Sequence, residues 1–236
     1  MTDTLSLALV LIPCLIVAIV FHEVAHGWTA LALGDPTAKE RRRLTLNPIR
    51  HVDPVGTLIV PIALALFKGP IFGWAKPVPV IKERLNNPRW GMVFVAAAGP
   101  GINFAMALAA SIMLRMTLPV DAAFAVTGAG FPSIADGLGE VSFLSTGLFF
   151  FILINLFLGI FNLLPIPPFD GSHIVEGFLP RKLARSYEKL RPLGMVLFFA
   201  LVALTWFAPQ LRIIERLYIP VAYVLGWFLP DSLAVL

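Results

Sequence analysis

Apolar runs as long as a lipid bilayer is thick dominate this sequence. A transmembrane helix needs about 20 mostly apolar residues. Some runs reach that length and others approach it; they are Leu5–Leu33, Trp90–Leu118, Val141–Leu164, Pro192–Phe207 and Ile213–Leu229. The sequence therefore predicts an all-α polytopic membrane protein with about five to six transmembrane helices.

The composition agrees with a lipid environment. Apolar residues make up 58% of the 236 residues and charged residues only 14%, with a mean hydropathy of +0.85. A soluble domain has about 25% charged residues, so this chain lacks the polar side chains that would cover a water-exposed surface. We expect a single transmembrane domain over residues 1–236 with the lipid bilayer as a partner. Nucleic acid is not expected, because the basic residues lie in loops between apolar runs.

The first apolar run is expected to stay in the mature protein. The residues before it, Met1–Thr4, carry no positively charged side chain, unlike the start of a secretory signal peptide. The single cysteine, Cys14, excludes an internal disulfide and a metal site built from cysteines.

The stretch between the first two long runs is harder to assign. Val55–Phe67 is apolar but only about 13 residues long, which is typical of a re-entrant helix rather than of a crossing. Residues 69–80 contain prolines and glycines that forbid a helix, and their β-branched residues predict an extended β-hairpin or loop. Pro77 and Pro79 cannot donate to a sheet, and any strand here must lie at an edge.

Charge in the loops predicts how the chain is oriented. Residues 35–89 and 165–191 are rich in Lys and Arg, whereas residues 119–140 contain acidic residues and no Lys or Arg. Positively charged loops favour the cytoplasm. If Val55–Phe67 does not cross, both basic stretches are cytoplasmic; if it crosses, residues 76–89 lie outside, against the rule. We prefer the non-crossing alternative, in a multi-pass protein of the cell (inner) membrane.

The first apolar run carries three ionisable residues, His22, Glu23 and His26. On a helix, histidines four residues apart project from one face, which is the spacing that two ligands of one tetrahedral zinc need. Glu23 follows the first ligand, where its carboxylate can take a proton from a water on the metal. The alternative is a chance string beside a polar cavity. Ionisable groups in a span cost about 2.5–3.5 kcal/mol or more each, however, and are usually functional.

A catalytic zinc needs a third protein ligand and an open position. The candidates are Asp170, His173, His51, Asp53 and Glu176. We favour Asp170, because prolines at 165, 167 and 168 break the helix before it, and unwound backbone at membrane depth is tolerated only within protein or around a cavity. The preferred topology also places it on the cytoplasmic side, near the end of the first span.

Each of these candidates has an alternative role. Asp170–Gly171 is also the pattern of an ordinary turn, and Asp53 before Pro54 is typical of an Asx-type turn. His173 and His51 are candidates for hydrogen-bonding partners of the metal ligands as well as for ligands.

With these residues identified, the sequence resembles the site-2 protease family of intramembrane zinc metallopeptidases over most of residues 15–180. The first family motif, His-Glu-x-x-His in an apolar helix, is present at His22–His26, and the second, Asn-x-x-Pro-x-x-x-x-Asp-Gly, at Asn162–Gly171. A Gly-Pro-x-x-Asn element is present at Gly99–Asn103. Further segments resemble a compact prokaryotic subgroup without PDZ or nucleotide-sensing CBS domains; they are Leu46–Pro48, His51–Thr57 and Gly73–Val80.

The resemblance implies a role for each motif residue. His22, His26 and Asp170 would be the ligands of one Zn²⁺ per chain, and Glu23 the catalytic carboxylate. Asn162 would contact the substrate near the scissile bond, where its amide can donate to a carbonyl or a developing oxyanion. The alternative for Asn162 is that it holds the broken helix together. We expect Asn103 to be structural.

The resemblance also implies a zinc metalloendopeptidase that cleaves peptide bonds in or near transmembrane segments of other membrane proteins, as in regulated intramembrane proteolysis. Such a substrate would already be trimmed by a first protease, and its helix must unwind locally. An edge strand within residues 69–80 is our hypothesis for its capture, by β-addition. The rival is a metal transporter or a zinc-binding protein without hydrolytic activity. The scarcity of ionisable groups in the other spans disfavours transport, and the presence of Glu23 disfavours a catalytically silent protein.

Overall fold

The computed structural model of the chain describes residues 2–66, 73–126 and 131–233. Within these ranges the protein is mainly helical. The helices are α1 (Thr2–Ala32), α2 (Thr37–Glu40), α3 (Val60–Leu66), α4 (Pro88–Thr117), α5 (Phe143–Asn162), α6 (Gly171–Phe178), α7 (Arg181–Glu188), α8 (Gly194–Phe207) and α9 (Ile213–Phe228). The strands are β1 (Ala123–Val126) and β2 (Pro132–Ala135). Short helical turns lie at Pro48–His51, Pro54–Ile59, Lys82–Arg84, Arg191–Leu193, Pro209–Leu211 and Asp231–Leu233.

Helices α1, α4, α5, α8 and α9 begin and end within a few residues of the predicted apolar runs. Among the described residues, 4 helical stretches are long and apolar enough to cross a membrane: Leu7–Ala32, Pro88–Thr117, Phe143–Asn162 and Arg181–Phe207. Helix α9 has 16 residues. At about 1.5 Å per residue it is shorter than the roughly 30 Å of a hydrocarbon core. The larger number of spans expected from the sequence therefore stays a prediction.

Glycine and proline end the helices that carry the candidate site. Helix α1 ends at Ala32, and Gly34 then has a φ of 105°, a left-handed conformation that glycine adopts without strain. Helix α5 ends at Asn162, shortly before Pro165, and no regular helix follows until α6 begins at Gly171. The helix break expected before Asp170 is therefore present.

The β-hairpin predicted near residues 69–80 is not found in its described part. Residues 69–72 lie outside the described residues, and residues 73–80 form no strand. Their backbone groups bond instead to neighbouring loops: Trp74 N–H donates to the Gly56 carbonyl at 3.2 Å and Lys76 N–H to the His51 carbonyl at 2.9 Å. The physical reason is that Pro77 and Pro79 lack the N–H groups that a ladder needs.

One small sheet lies where the apolar pattern predicts only a loop. Strand β1 pairs antiparallel with β2, with Ala123 opposite Ala135 and Val126 opposite Pro132. Both strands belong to the acidic stretch between α4 and α5. The fold is therefore mostly helical rather than all-α.

The apolar segment after Asp53 is a short helix. It is a π-helix from Pro54 to Ile59 and an α-helix from Val60 to Leu66. Asp53 Oδ1 caps it by accepting hydrogen bonds from Val55 N–H at 3.0 Å and Gly56 N–H at 2.7 Å, which confirms the turn predicted for Asp53. About 13 residues of helix extend for roughly 20 Å, less than a hydrocarbon core. That length is consistent with a segment that does not cross.

Contacts divide the chain into two compact units. The first comprises Met1–Ala18, Asn103–Ile160 and Tyr218–Leu236. Its core is apolar and includes Leu114, Ile134, Phe149, Ile152, Leu156, Val221 and Leu225. Two fully buried amides pair within this unit: Asn103 Nδ2 donates to Asn155 Oδ1 at 2.8 Å, and Asn155 Nδ2 donates to the Phe151 carbonyl at 2.8 Å.

The second unit comprises Ile19–Ile102 and Phe161–Leu217. Fully buried Asp35 organises the chain after α1, because its carboxylate accepts hydrogen bonds from Thr37 N–H at 3.0 Å and Ile81 N–H at 2.6 Å. Burial alone would raise the pKa of Asp35, but a hydrogen bond from the Thr37 hydroxyl and those from the two N–H groups outweigh it and lower the pKa overall. The ionised carboxylate therefore fixes the end of the extended segment 73–80.

Large apolar side chains remain exposed along the candidate spans. Ile112, Met116 and Phe199 are 52%, 81% and 41% exposed. A soluble protein seldom leaves such continuous apolar surface in water, whereas lipid chains cover it without cost. The exposed side chains suggest a membrane protein.

Candidate metal centre

Three side chains from two distant parts of the sequence meet at one point. His22 and His26 lie on one face of α1, and Asp170 immediately precedes α6. The Nε2 atoms of the two histidines are 3.0 Å apart. Asp170 Oδ2 lies 3.2 Å from His22 Nε2 and 3.3 Å from His26 Nε2. The two histidines are only 7% and 9% exposed. The structure brings together the histidine pair and the aspartate favoured as the third ligand.

The spacing of these three atoms fits a tetrahedral zinc. Zinc bonds to nitrogen and oxygen are about 2.0–2.2 Å long, so neighbouring ligand atoms of a tetrahedral site lie about 3.3 Å apart. The measured separations of 3.0, 3.2 and 3.3 Å approach that value. In the described part of the chain, no donor forms a hydrogen bond with buried Asp170 Oδ2. A buried carboxylate oxygen that faces two imidazole nitrogens in this way is suited to a cation.

A backbone carbonyl on α4 orients the ring of His26. The distance from His26 Nδ1 to the Val95 carbonyl oxygen is 2.7 Å. A neutral imidazole that donates through Nδ1 presents a lone pair at Nε2, the nitrogen that faces His22 and Asp170. The contact with Val95 therefore prepares His26 to bind a metal.

Helix α4 also passes close to both imidazoles at Gly99. A Cβ atom at this position would lie 2.5 Å from His22 Cε1 and 2.5 Å from His26 Nε2. Gly101, in the same helix, has nothing within 4 Å of its Cβ position. Only glycine leaves room for the two rings at position 99. The Gly-Pro-x-x-Asn motif marks Gly99 in the sequence, but the reason for the glycine is visible only in the structure.

The extended segment 73–80 holds Glu23. Glu23 Oε2 accepts a hydrogen bond from Val78 N–H at 2.7 Å. Arg43 is only 7% exposed, attracts the Glu23 carboxylate, and donates from Nη2 to the Lys76 carbonyl at 2.6 Å. The Val78 N–H group and the charge of Arg43 thus hold the carboxylate of Glu23, the residue that follows His22. The sequence did not predict that Val78 and Arg43 would interact with Glu23, because neither residue is near Glu23 in the chain.

The loop that carries Asp170 is tightly folded. The Tyr187 hydroxyl donates to the Pro165 carbonyl, and His173 N–H donates to the Asp170 carbonyl at 2.9 Å. A Cβ atom at Gly171 would lie 2.2 Å from the Leu163 carbonyl oxygen. Only glycine allows the chain to turn back so closely after Asp170.

His51 and Asp53, two of the other candidate ligands, have different partners. His51 is buried, and its Nε2 lies 2.8 Å from the Thr45 carbonyl oxygen. Asp53 caps the helix that follows it. These contacts shape the loop before α3.

Glu176 and His173 belong to an ion-pair network beside the Asp170 loop. Glu176 pairs with Lys82 at 2.7 Å and also with Arg191. Burial would raise the pKa of Glu176, but the hydrogen bond from Lys82 and the charge of Arg191 lower it overall. Burial and the charge of Arg191 lower the pKa of His173 to about 4, so its neutral ring accepts from Arg191 Nη2 at 3.0 Å. The network supports α6 directly after Asp170.

The two asparagines singled out by the motifs lie in different surroundings. Asn162 is the half-buried last residue of α5. Its contact with a substrate stays a prediction. Asn103 is fully buried against Asn155, which agrees with the structural role expected for it.

Comparison with known proteins connects this site to a family. The pattern of peptidase family M50 matches residues 10–204, a range that contains Glu23 and the whole three-residue cluster. YwhC of Bacillus subtilis, which its name places among the zinc metalloproteases, is 37% identical over 201 residues, covering 84% of this chain and 81% of YwhC. Two proteins named Rip2, described in the same terms, are also similar. The one from Mycobacterium tuberculosis is 30% identical over 197 residues (81% of this chain, 67% of Rip2). The one from Mycolicibacterium smegmatis is 26% identical over 188 residues (79% and 64%). No solved structure matches the chain.

Proposed function

This chain belongs to peptidase family M50, the site-2 protease family, and is a zinc metalloprotease; from that premise we propose that it hydrolyses peptide bonds in or near transmembrane segments of other membrane proteins. One observation carries the proposal. His22, Glu23 and His26 lie within Leu7–Ala32, a helical stretch long and apolar enough to cross a bilayer. A hydrolytic site on such a helix faces substrates that share the bilayer.

We assign His22, His26 and Asp170 as the ligands of one Zn²⁺ per chain and Glu23 as the general base. Zinc held in such a site acts as a Lewis acid and lowers the pKa of a coordinated water to about 7. Glu23 takes up a proton during attack on the peptide carbonyl and returns it to the leaving amine. The hydrogen bond from Val78 N–H supports this role, because it holds the carboxylate beside the metal ligands.

The extended segment 73–80 is the proposed substrate-binding edge. Trp74, Lys76 and Val78 turn their backbone groups into the protein, where the partners are Gly56, Thr57, His51, Arg43 and Glu23. Alternate residues of an extended chain point to opposite edges, so the carbonyls of Ala75, Pro77 and Pro79 belong to the other edge. An unwound substrate would donate its N–H groups to these carbonyls by β-addition. The contact between Val78 and Glu23 supports the proposal, since it would keep a substrate on this edge near the base.

Further parts of the proposal concern Asn162 and the membrane. The Asn162 amide would donate a hydrogen bond to the substrate carbonyl near the scissile bond.

The basic loops support a multi-pass protein of the inner membrane with its active site toward the cytoplasm. The substrate would be a transmembrane protein already trimmed by a first protease, as regulated intramembrane proteolysis requires.

The variant Glu23→Gln tests the proposal. The full chain is reconstituted in vesicles with a substrate that contains one transmembrane segment, and the products are mapped by mass spectrometry. We expect cleavage to fall by at least about 100-fold, because the general base is lost. Zinc content should stay at one ion per chain, because the ligands remain. Glu40→Gln, which changes a half-exposed carboxylate on α2, serves as the control with normal cleavage.

Three results would contradict the proposal. Normal cleavage by Glu23→Gln would remove Glu23 from the chemistry. Cleavage sites that lie only far from the transmembrane segment would remove the intramembrane assignment. Metal flux across the vesicle membrane that Glu23→Gln leaves unchanged would favour a transporter.

The substrate-binding edge has its own test. Val80→Asp should impair cleavage while zinc stays bound, because the capture edge is disturbed and the three ligands are not. Deletion of Val78–Val80 should impair cleavage further, because it also removes the N–H group that holds Glu23. Normal cleavage of the transmembrane substrate by both variants would remove residues 73–80 from substrate binding.

A further inference from the structure

A cavity of about 190 Å³ is lined mostly by charged residues and by none of the proposed metal ligands. Its walls come from the turn Lys82–Arg84, the first turn of α4, helix α6 and helix α7. The residues that line it are Lys82, Arg89, Glu176, Arg181, Ala184, Arg185 and Glu188. Most of them are charged, and the zinc chemistry uses none of them.

The carboxylates of the cavity are already neutralised. Glu176 is ionised and pairs with Lys82 and Arg191. Glu188 lies 3.7 Å from Arg191. Once Lys82 and Arg191 are matched to the two carboxylates, the charges of the lining arginines are left without a counterion, and the cavity favours an anion.

Arg89 gives the cavity a fixed cationic wall. Its Nε donates to the Gly177 carbonyl at 2.7 Å and its Nη2 to the Leu179 carbonyl at 2.7 Å. These two hydrogen bonds hold the guanidinium in place and leave its charge intact. The end of α6 thus orients one arginine before any ligand arrives.

Arg181 and Arg185 supply two further cations to the cavity lining. They lie one turn apart on the same face of α7. Within residues 2–66, 73–126 and 131–233, neither side chain forms a hydrogen bond or an ion pair. Helix α7 begins at Arg181 after Pro180 without a side-chain cap, so its first-turn N–H groups add partial positive charge at the same end. Two uncommitted guanidinium groups one turn apart suit a phosphate group, which arginine binds through paired hydrogen bonds.

The neighbouring residues connect the cavity to lipid. Arg181 begins the candidate span Arg181–Phe207. Leu183 and Leu193 are 56% and 49% exposed, and the apolar helix α8 follows directly. Cations at the end of a span, followed by exposed apolar side chains, match a lipid that has a charged head and acyl chains.

We propose that this cavity binds the phosphate group of an anionic lipid headgroup. Arg89, Arg181 and Arg185 contact the phosphate, and the lipid chains lie along the apolar residues toward α8. A free phosphate ion offers the same anionic group without the chains, so the two sources are distinguishable. The site is separate from the zinc ligands and does not depend on the proposed substrate.

Native mass spectrometry of the zinc-loaded full chain in detergent tests the site. Phosphatidylglycerol and phosphatidylcholine with the same acyl chains are titrated separately. We expect Arg181→Gln/Arg185→Gln to weaken phosphatidylglycerol binding by about tenfold or more, because each basic residue near an anionic lipid contributes to binding. The control Lys182→Gln/Lys189→Gln removes the same charge from the same region outside the cavity, and we expect less than about a twofold change.

Further measurements keep the result decisive. Arg181→Lys/Arg185→Lys, which keeps the charge but loses the paired donors of each guanidinium, should recover only part of the phosphatidylglycerol binding. All variants should keep the unfolding temperature of the unchanged protein. Equal losses of phosphatidylglycerol binding in Arg181→Gln/Arg185→Gln and in Lys182→Gln/Lys189→Gln would overturn the site, because they would indicate attraction by the overall charge of the region. Equal binding of the two lipids would overturn it as well. Arginine-dependent binding of inorganic phosphate without a preference for phosphatidylglycerol would overturn the lipid assignment.

Discussion

Two buried polar clusters lie among apolar helices, and they differ in how the chain satisfies them. In the pair Asn103–Asn155 a donor meets an acceptor at 2.8 Å, and Asn155 donates further to a carbonyl of its own helix. In the cluster of His22, His26 and Asp170, ring nitrogens and a carboxylate oxygen converge within 3.3 Å, and among the described residues Asp170 Oδ2 receives no hydrogen bond. The first arrangement is complete without a ligand. The second is suited to a cation, because a buried carboxylate oxygen that receives no hydrogen bond is otherwise costly.

The comparison distinguishes a polar cluster that stabilises the fold from one that is suited to bind a metal ion. Both clusters are made of side chains that an apolar environment disfavours, so burial alone does not distinguish them. The distinguishing property is whether donors and acceptors are matched within the chain. Substitutions in the two clusters should therefore have different consequences, in zinc binding for one and in stability for the other.

The largest effect is expected from Asp170→Asn. An amide of nearly the same shape cannot supply the charged oxygen ligand, so zinc affinity should fall by more than about 100-fold, the upper range for the loss of a supporting partner. Zinc content after dialysis and isothermal titration measure it. Asp121→Asn, on the exposed acidic loop, is the matched control and should bind normally. Equal zinc affinity in Asp170→Asn and the unchanged protein would remove Asp170 from the metal site.

The next effect concerns Gly99. A methyl group would collide with both imidazoles, and forcing it in costs about 1–3 kcal/mol, which corresponds to about tenfold or more in zinc affinity if the rings move. Gly101→Ala has free space at its Cβ position and serves as the control in the same helix. Titration of both variants with zinc measures the difference. If Gly99→Ala and Gly101→Ala bind zinc alike, the close approach of α4 to the ligands is unimportant.

A smaller effect, of a different kind, is expected from Asn155→Leu. The Asn103 amide then loses its shorter hydrogen bond, the one to Asn155 Oδ1 at 2.8 Å, and the free energy of unfolding should fall by about 1–2 kcal/mol. Zinc content should not change, because the amide pair binds no ligand. Denaturant unfolding in micelles measures the first quantity and metal analysis the second. Loss of zinc in a folded Asn155→Leu protein would show that the pair is coupled to the metal site.

The smallest effect on stability is expected from a change at Glu176. This carboxylate pairs with two cationic side chains of the protein, Lys82 and Arg191, whereas Asp170 faces two imidazoles. The pKa of Glu176 is lowered in the folded protein from an ordinary value of 4.5. Its stabilising contribution is therefore fully present above pH 4.5 and is lost as the pH falls through the lower folded-state pKa. In Glu176→Gln the unfolding free energy should be lower at pH 7 and should fall less between pH 5 and pH 3. Identical pH profiles for the two proteins would contradict the ion-pair assignment.

The sequence predicts the helices of this protein well, because the length of an apolar run is set by bilayer thickness and needs no tertiary information. It also predicts the meeting of Asp170 with the histidines, because the prolines before Asp170 break the helix and the basic loops place Asp170 on the same side of the membrane as the end of the first span. Both inferences use local signals. The same local signals predicted the turn at Asp53.

Other features depend on long-range contacts that no local pattern encodes. The hydrogen bond between Glu23 and Val78 and the contact of Arg43 with Lys76 join residues far apart in sequence. Strands β1 and β2 are short and lack a clear apolar alternation, so the stretch was predicted as a loop. The hairpin expected near residues 69–80 relied on β-branched residues, whereas the prolines direct the backbone of residues 73–80 toward side chains and loops. The count of about five to six spans stays a prediction, because α9 is apolar but has only 16 residues.

The proposed ligand set joins two distant parts of the chain. Between His26 and Asp170 the chain runs through the whole of α4 and α5 before it returns to the same point. A zinc ion bound at both ends of this stretch acts as a cross-link, which restricts the unfolded chain in the way that a disulfide closing a long loop does. Chelation should therefore lower the unfolding temperature as well as abolish cleavage. Zinc binding would then be a step in the folding of the helices in the membrane, and it would precede substrate binding.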